Sequence, residues 1–342
     1  MRVSNSTVAA VVCGLAALFP TAVSADAGGD AHDSGLPLAV IADVPLPGDT
    51  SRFDYESYDA DRHLLFIAHL GASEVVVFNT LTHQIVGRIG DVRHVHGVLA
   101  VPELKRVYAS ATGTDEVVAI DEDRLAVVAR MPGGTYPDGM AYAPEAQKLY
   151  VSDETGRTET VIDVRANRRV ATIALGGEVG NSQYDPVSKH VFVNVQSLRQ
   201  LAEIDPASDQ VVARTDLPGA KGNHGLLIEP KLRLAFIACE DNDKLIVLDL
   251  QSRRIKNAFD VGNDPDVLAY DPSVGLLYVA SESGAVSLFK VSPSGMTKVG
   301  QGQLAANAHV VGVDPATHLA YFPIKSLSGH PVLRITKPLL DR

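Results

Sequence analysis

The chain has 342 residues, of which 46% are hydrophobic and 21% are charged, so it contains enough apolar material for a large core and is not wholly disordered. Acidic side chains outnumber basic ones by 41 to 30, for a net charge of −11, and we therefore expect no nucleic-acid partner. The two cysteines, Cys13 and Cys239, exclude a disulfide framework.

The N-terminal segment has the pattern of a secretory signal. Arg2 precedes an apolar run over residues 8–23, which ends in the small residues Ala22, Val23, Ser24 and Ala25. The sequence predicts a signal peptide over 1–25, with cleavage near Ala25 or Ala27, and a flexible mature N-terminus over 26–36. A lipid anchor on Cys13 is the alternative, which the bulky Val12 disfavours. We expect a periplasmic or secreted protein with no membrane span.

The remaining sequence repeats seven times. Six prolines and Ala60 occupy the same place in successive copies, at intervals of 42, 42, 42, 44, 42 and 43 residues. An aromatic residue follows each of these positions by six residues. The aromatic residues are Phe66, Tyr108, Tyr150, Phe192, Phe236, Tyr278 and Tyr321. The prolines are Pro102, Pro144, Pro186, Pro230, Pro272 and Pro315.

Each copy contains four short β-rich segments separated by turn residues, and none has a sustained helical period. Four strands in a period of about 42 residues predict an all-β, seven-bladed β-propeller over residues 37–338, with four antiparallel strands per blade. The repeated aromatics are interpreted as core residues between blades. The last copy has three strands, so we expect the strand that begins at Leu38 to complete it and close the ring.

Two short motifs point to a family. "LYVS" at Leu149 and "LYVA" at Leu277 resemble the YVTN repeat, a WD40-like repeat, and the chain over residues 37–338 resembles the YncE-like family of exported seven-bladed propellers. The resemblance implies a binding or surface protein. One studied member type binds single-stranded DNA, but the net charge of this chain argues against extending that property to it. Related propellers include lyases and lactonases.

One position in each repeat, six residues before the proline or Ala60, marks the start of the first strand. We call the seven residues at this position the mouth column, and they are Asp54, His96, Asp138, Gly180, His224, Asp266 and His309. Because first strands line the channel of a propeller, we expect six His and Asp side chains to surround one channel mouth and bind a ligand there. The alternative is that these polar side chains only hold the turn that leads into the strand.

Imidazole and carboxylate groups are ligands for divalent metal ions and can also act as acids and bases. The candidate metal ligands are His96, His224 and His309, with His94 and His69 nearby. His94 and His96 would share one face of an extended segment. The loop after the second strand adds acidic candidates, and Cys239 is either a ligand, a reactive thiol or a small core residue. These acidic candidates are Asp153, Glu154, Glu240, Asp241 and Glu282.

Three functions remain open at this point. The first is an exported, monomeric binding protein that holds a small molecule, a metal ion or an envelope protein at the channel mouth. The second is a metal-dependent lyase or lactonase-like enzyme with His96, His224 or His309 as the base. The third is a structural scaffold in the cell envelope. No C-x-x-C-H motif is present, so we expect no covalent haem.

Overall fold

The computed structural model describes residues 35–339. The expected signal peptide over 1–25, and all but the last two residues of the expected flexible segment over 26–36, lie outside this range. Within it, 28 strands form seven four-stranded antiparallel sheets. No helix among the described residues is long and apolar enough to cross a membrane.

The strands alternate with short turns, and four of those turns contain a single turn of 3₁₀-helix. In the first half of the chain the strands are β1 (Leu38–Pro45), β2 (Glu56–Asp59), β3 (Leu64–His69), β4 (Glu74–Asn79), β5 (Gln84–Ile89), β6 (Val95–Val101), β7 (Arg106–Ala111), β8 (Glu116–Asp121), β9 (Ala126–Pro132), β10 (Pro137–Ala143), β11 (Lys148–Asp153), β12 (Thr158–Asp163), β13 (Arg168–Ala174) and β14 (Val179–Asp185). In the second half they are β15 (His190–Val195), β16 (Gln200–Asp205), β17 (Gln210–Asp216), β18 (Asn223–Glu229), β19 (Leu234–Cys239), β20 (Lys244–Asp249), β21 (Arg254–Asp260), β22 (Pro265–Asp271), β23 (Leu276–Ser281), β24 (Ala285–Ser292), β25 (Gly295–Gln303), β26 (Gly312–Asp314), β27 (Leu319–Leu327) and β28 (His330–Pro338). The 3₁₀ turns are Pro102–Leu104, Thr112–Thr114, Gln196–Leu198 and Glu240–Asn242.

Each repeat forms one blade, as the sequence predicts. Blades 1 to 6 take four consecutive strands each, beginning at β2, β6, β10, β14, β18 and β22. The seventh blade has the strand order β1-β28-β27-β26. Its outer strand comes from the N-terminal side, and Leu38 pairs with Pro338 while Pro45 pairs with Val332. The predicted closure of the ring is confirmed, and it covers the sheet edge that β28 would otherwise expose.

The repeated aromatic residues lie in the second strand of every blade and are at most 7% exposed. They belong to apolar clusters that join neighbouring blades: one cluster, for example, combines Phe66 of blade 1 with Val107 of blade 2. Burying a side chain of this size contributes about 1.5–3 kcal/mol. The core is therefore divided into wedges between blades, which fixes the ring and leaves the polar starts of the first strands at its centre.

Candidate functional site

The six polar residues of the mouth column lie at one end of the channel, around a cavity of about 710 Å³. Asp54, His96, Asp138, His224 and Asp266 line this cavity directly. His309 contacts it through Asp266 and Glu282, since its Nε2 lies 3.9 Å from Asp266 Oδ2 and 3.7 Å from Glu282 Oε1. The structure therefore brings five of the six polar residues of the mouth column together around one cavity, with His309 beside it. Gly180, the seventh member, has no side chain to contribute.

Glycines allow the inner strands to approach closely enough to build this site. Gly97 and Gly225 each follow a histidine of the mouth column. A Cβ atom at Gly97 would stand 2.2 Å from the carbonyl oxygen of Asp138, and one at Gly225 would stand 2.0 Å from that of Asp266. Both positions therefore require glycine, because any side chain would push the next blade outward. The close approach crowds the mouth carboxylates against the histidines.

Tyr55 crosses the channel and was not among the sequence-predicted residues. It precedes the first strand of blade 1, yet its hydroxyl lies 3.0 Å from His224 Nε2 in blade 5 and 3.5 Å from Asp266 Oδ1 in blade 6. Burial, together with Asp138 and Asp266, raises the pKa of Tyr55 well above its usual value, so the hydroxyl keeps its proton. One signal was available in the sequence: a tyrosine stands where three other repeats have glycine.

The lining of the cavity is strongly acidic. The cavity is lined by seven carboxylates and a single arginine, Arg52. Sequence reasoning missed Arg52, whose guanidinium pairs with Glu282 and lies 3.6 Å from Asp54 and 4.0 Å from Asp266. It also missed Asp264 and the nearby Tyr136. The carboxylates are Asp54, Asp138, Glu154, Glu240, Asp264, Asp266 and Glu282.

Burial makes several of these carboxylates costly to ionise. It raises the pKa of Asp54 to about 8 and that of Asp266 to about 7, and it also raises the pKa values of Glu154 and Glu240. Asp138 differs: burial opposes its charge, but its hydrogen bond with His224 and the nearby His224, His96 and Arg52 together outweigh burial and lower its pKa. The site thus concentrates carboxyl groups that a bound positive charge would stabilise in their ionised form.

The three histidines of the mouth column have different environments. His224 contacts Asp138 at 3.4 Å and Glu240 at 3.8 Å. Burial opposes its charge, but these carboxylates outweigh burial and raise its pKa well above the usual value. Burial lowers the pKa of His309 to about 4, so that ring is neutral. His96 Nδ1 donates to the carbonyl of His94 at 2.9 Å, and its Nε2 is hydrogen-bonded to Tyr136 Oη at 3.1 Å.

The three histidines of the mouth column do not bring their ring nitrogens together around one point in the described part of the chain. Among residues 35–339, each set of potential ligand atoms lying within 4.8 Å of one another contains a single histidine. The physical reason is position in the ring, because His96, His224 and His309 belong to blades 2, 5 and 7, and no two of these blades are adjacent. The histidines instead face different aspartates, with His96 Nε2 3.9 Å from Asp54.

The remaining candidates are distributed differently from the expectation. His94 lines the cavity, but its φ of 44° places it in a left-handed turn, so it does not share an extended face with His96. His69 is fully buried, stacks on Phe53 and lies 3.1 Å from Ser51 Oγ, away from the cavity. Asp153 is buried within blade 3 and Asp241 is exposed outside the cavity lining.

Cys239 is fully buried at the end of β19, and burial raises the pKa of its thiol to about 12. A thiol in this state is a poor nucleophile and a poor metal ligand, because both roles require the thiolate. The structure therefore places Cys239 in the core.

The turn-holding alternative applies to only part of the mouth column. His96 and His309 each direct Nδ1 at the backbone carbonyl two residues earlier. By contrast, no hydrogen bond from a backbone N–H to Asp54, Asp138 or Asp266 occurs within the described part of the chain. Asp54 Oδ2 and Asp138 Oδ1 are buried and have no hydrogen-bond partner there. These three carboxylates therefore do not hold turns through backbone hydrogen bonds.

No protein-family model matches this chain, and no curated protein matches its sequence. Solved structures do resemble it. A chain of the Mitotic Checkpoint Complex has a TM-score of 0.74 at 13% identity, and the match covers 95% of this chain and 98% of that one.

Two further structures give similar values. Virginiamycin B lyase from Staphylococcus aureus has a TM-score of 0.72 at 11% identity, covering 87% of this chain and 99% of that one. Hydrazine Synthase of Kuenenia stuttgartiensis has a TM-score of 0.71 at 16% identity, covering 86% and 98%. At these identities the likeness concerns the fold, and the chain is a seven-bladed β-propeller.

Proposed function

We propose that this chain is an exported, YncE-like binding protein whose channel mouth holds a cationic ligand. The propeller fold is consistent with a binding or scaffold role. Export is proposed from the charged start, apolar run and small residues over 1–25. The observation that supports a cationic ligand most directly is the cavity lining, in which seven carboxylates face one arginine.

Physical chemistry favours a cation over the alternatives. Even with His224 protonated, the cavity has more carboxylates than positive groups, so an anion would meet net repulsion. Asp54 Oδ2 and Asp138 Oδ1 are buried without a hydrogen bond, and a bound cation would offset the desolvation cost of these oxygens. The cavity of about 710 Å³ has room for a small organic cation as well as for a metal ion.

The test is a binding panel on tagless protein by isothermal titration calorimetry, with Ca²⁺, Mn²⁺ and spermidine as cations and phosphate as the anion. We expect at least one cation to bind and phosphate not to bind. The double variant Asp266→Asn/Glu240→Gln should weaken cation binding at least tenfold. Asp163→Asn removes one carboxylate from an outer turn and is the control. Absence of binding by every cation, or equal affinity in the parent and the double variant, would refute the proposal.

A metal-dependent lyase or lactonase-like activity is the second candidate, and one observation favours it. The His224 imidazolium and the Tyr55 hydroxyl are 3.0 Å apart inside the cavity, so a proton donor is available beside the carboxylates. Turnover of a lactone panel that is lost in both His224→Gln and Tyr55→Phe would support this candidate. Turnover that is unchanged in both variants would exclude these residues as the proton source.

A further inference from the structure

His309 has a ring nitrogen whose lone pair faces carboxylates. Its Nδ1 lies 3.1 Å from the carbonyl oxygen of Asn307, an acceptor, so Nδ1 holds the hydrogen of the neutral ring. Nε2 therefore has a lone pair. This nitrogen is buried without a hydrogen-bond partner, in a side chain that is 1% exposed. It points towards Asp266 and Glu282, whose oxygens are also acceptors when the carboxyl groups are ionised.

Such an arrangement is unfavourable unless a positive charge lies between these groups, because acceptors that face one another repel and gain no hydrogen bonds. Burial increases the cost. A histidine whose Nδ1–H is held by a backbone carbonyl and whose Nε2 is free has the orientation that metal-ligating histidines commonly show. The environment of His309 is thus that of a ligand, whereas both nitrogens of His224 already contact Tyr55, Asp138 and Glu240.

The surrounding oxygens are near enough to share one ion. Asp54, Asp266 and His309 each offer one ligand atom, and the three atoms lie within 4.8 Å of one another. Glu282 Oε1 adds a fourth atom, 3.7 Å from His309 Nε2. Ligand atoms around a tetrahedral ion with bonds of about 2.0–2.1 Å are separated by roughly 3.3–3.4 Å. Small side-chain movements would close the remaining difference.

Arg52 at present supplies the positive charge at this place. Its guanidinium pairs with Glu282 and lies 3.6 Å from Asp54 and 4.0 Å from Asp266, three of the four groups just described. The side chain is 39% exposed, so it can turn towards solvent without unpacking the core. Its Nε has no hydrogen-bond partner, which leaves the guanidinium less firmly held than a fully paired one.

Resting on the proposed function, we propose that His309, Asp54, Asp266 and Glu282 form a binding site for one divalent transition-metal ion, which enters by displacing the Arg52 guanidinium. One imidazole nitrogen with three carboxylates suits Zn²⁺ or Mn²⁺, since a nitrogen ligand adds little affinity for Ca²⁺. Arg52 acts as a built-in competitor that balances the charge of the site when no ion is bound.

The test is titration of chelator-treated, tagless protein with Zn²⁺, competed against a colorimetric chelator, together with the visible absorption of bound Co²⁺. We expect one ion per chain. His309→Gln and Asp266→Asn should each weaken Zn²⁺ binding at least tenfold and change the Co²⁺ spectrum. Arg52→Gln should strengthen Zn²⁺ binding several-fold, because the competitor is removed. The matched controls His63→Gln and His83→Gln, in turns outside the cavity lining, should stay within twofold of the parent.

The outcomes separate this site from the broader proposal. No Zn²⁺ binding by the parent, or equal affinity in the parent and both His309→Gln and Asp266→Asn, overturns the metal site, and spermidine or Ca²⁺ binding would then still support a cation site. Weaker Zn²⁺ binding in Arg52→Gln than in the parent overturns the displacement of Arg52. Thermal melts of each variant show whether a loss reflects unfolding, and agreement between the two ligand variants guards against a single misfolded one.

Discussion

Aspartates recur at both ends of the blades, and their environments are opposite. At the end away from the mouth, eight of them accept hydrogen bonds from backbone N–H groups two or three residues ahead and close the turns between strands. At the mouth, Asp54, Asp138 and Asp266 have no such bonds within the described part of the chain. The turn aspartates are Asp59, Asp121, Asp163, Asp185, Asp205, Asp249, Asp271 and Asp314.

The pKa values follow this difference. Backbone hydrogen bonds lower the pKa values of Asp163, Asp205 and Asp249, so those carboxylates are stabilised in their charged form. Burial raises the pKa values of Asp54 and Asp266. Aspartates that recur with the same period therefore stabilise the fold at the turns away from the mouth, whereas those at the mouth lack backbone hydrogen bonds. The comparison shows that repetition in sequence does not imply a repeated role.

Removing a buried turn aspartate should have the largest effect on stability. Asp185 is fully buried and accepts two hydrogen bonds from Arg233 Nη1, at 2.7 and 2.8 Å, in addition to its turn bonds. Asp185→Ala should lower the free energy of unfolding by about 3–5 kcal/mol, because it leaves Arg233 without its partner. Denaturant unfolding measures this loss. A loss below about 1 kcal/mol would contradict the structural role assigned to this end of the blades.

A buried glutamate between the two ends should make stability depend on pH. Burial, with Asp153 nearby, raises the pKa of Glu159 well above 4.5, so the folded chain keeps this proton while the unfolded chain releases it. Each pH unit above 4.5, up to the pKa of Glu159 in the folded chain, should lower the free energy of unfolding by about 1.4 kcal/mol. Glu159→Gln should remove this dependence, so the stability of the variant relative to the parent should increase as pH rises. Denaturant unfolding of the parent and of Glu159→Gln at pH 5, 6 and 7 would test this prediction. A difference in the free energy of unfolding that stays the same at all three pH values would contradict it.

An outer turn aspartate should matter less than Asp185. Asp163 accepts hydrogen bonds from the backbone of Arg165 at 2.9 Å and Ala166 at 3.1 Å, near the surface. Asp163→Ala should lower the free energy of unfolding by about 1 kcal/mol, a typical net value for such bonds. Thermal melts measure the loss, and cation binding should stay at the parent value. Weakened cation binding would show that the two ends are coupled.

A mouth aspartate should have the smallest effect on stability and a large effect on binding. Asp54→Asn removes a carboxyl group whose charged form burial opposes more than Arg52 favours it, so the free energy of unfolding should rise by less than about 1 kcal/mol. Zn²⁺ affinity, measured by chelator competition, should fall at least tenfold. Destabilisation as large as that of Asp185→Ala would mean that Asp54 stabilises the fold. The mouth aspartates would then not differ in role from the turn aspartates.

The sequence alone determined the architecture. Seven aromatics such as Tyr108 and Tyr150, spaced by one blade length, predicted the number of blades, and the strand pattern predicted the antiparallel order and the closure by β1. These features follow from local strand propensity and from repetition, both of which are visible along the chain. Repetition also placed the mouth column at one height, because equivalent residues start equivalent strands.

Only the tertiary structure decided which of those residues meet. The Tyr55 side chain of blade 1 contacts His224 in blade 5, and the Arg52 side chain pairs with Glu282, which belongs to blade 6. No spacing along the chain predicts these two contacts. The separation of His96, His224 and His309 likewise depends on positions around a ring rather than on position within a repeat. A repeat fixes the height of a side chain along the channel, whereas the partners across the channel depend on side-chain length, direction and burial in the closed ring.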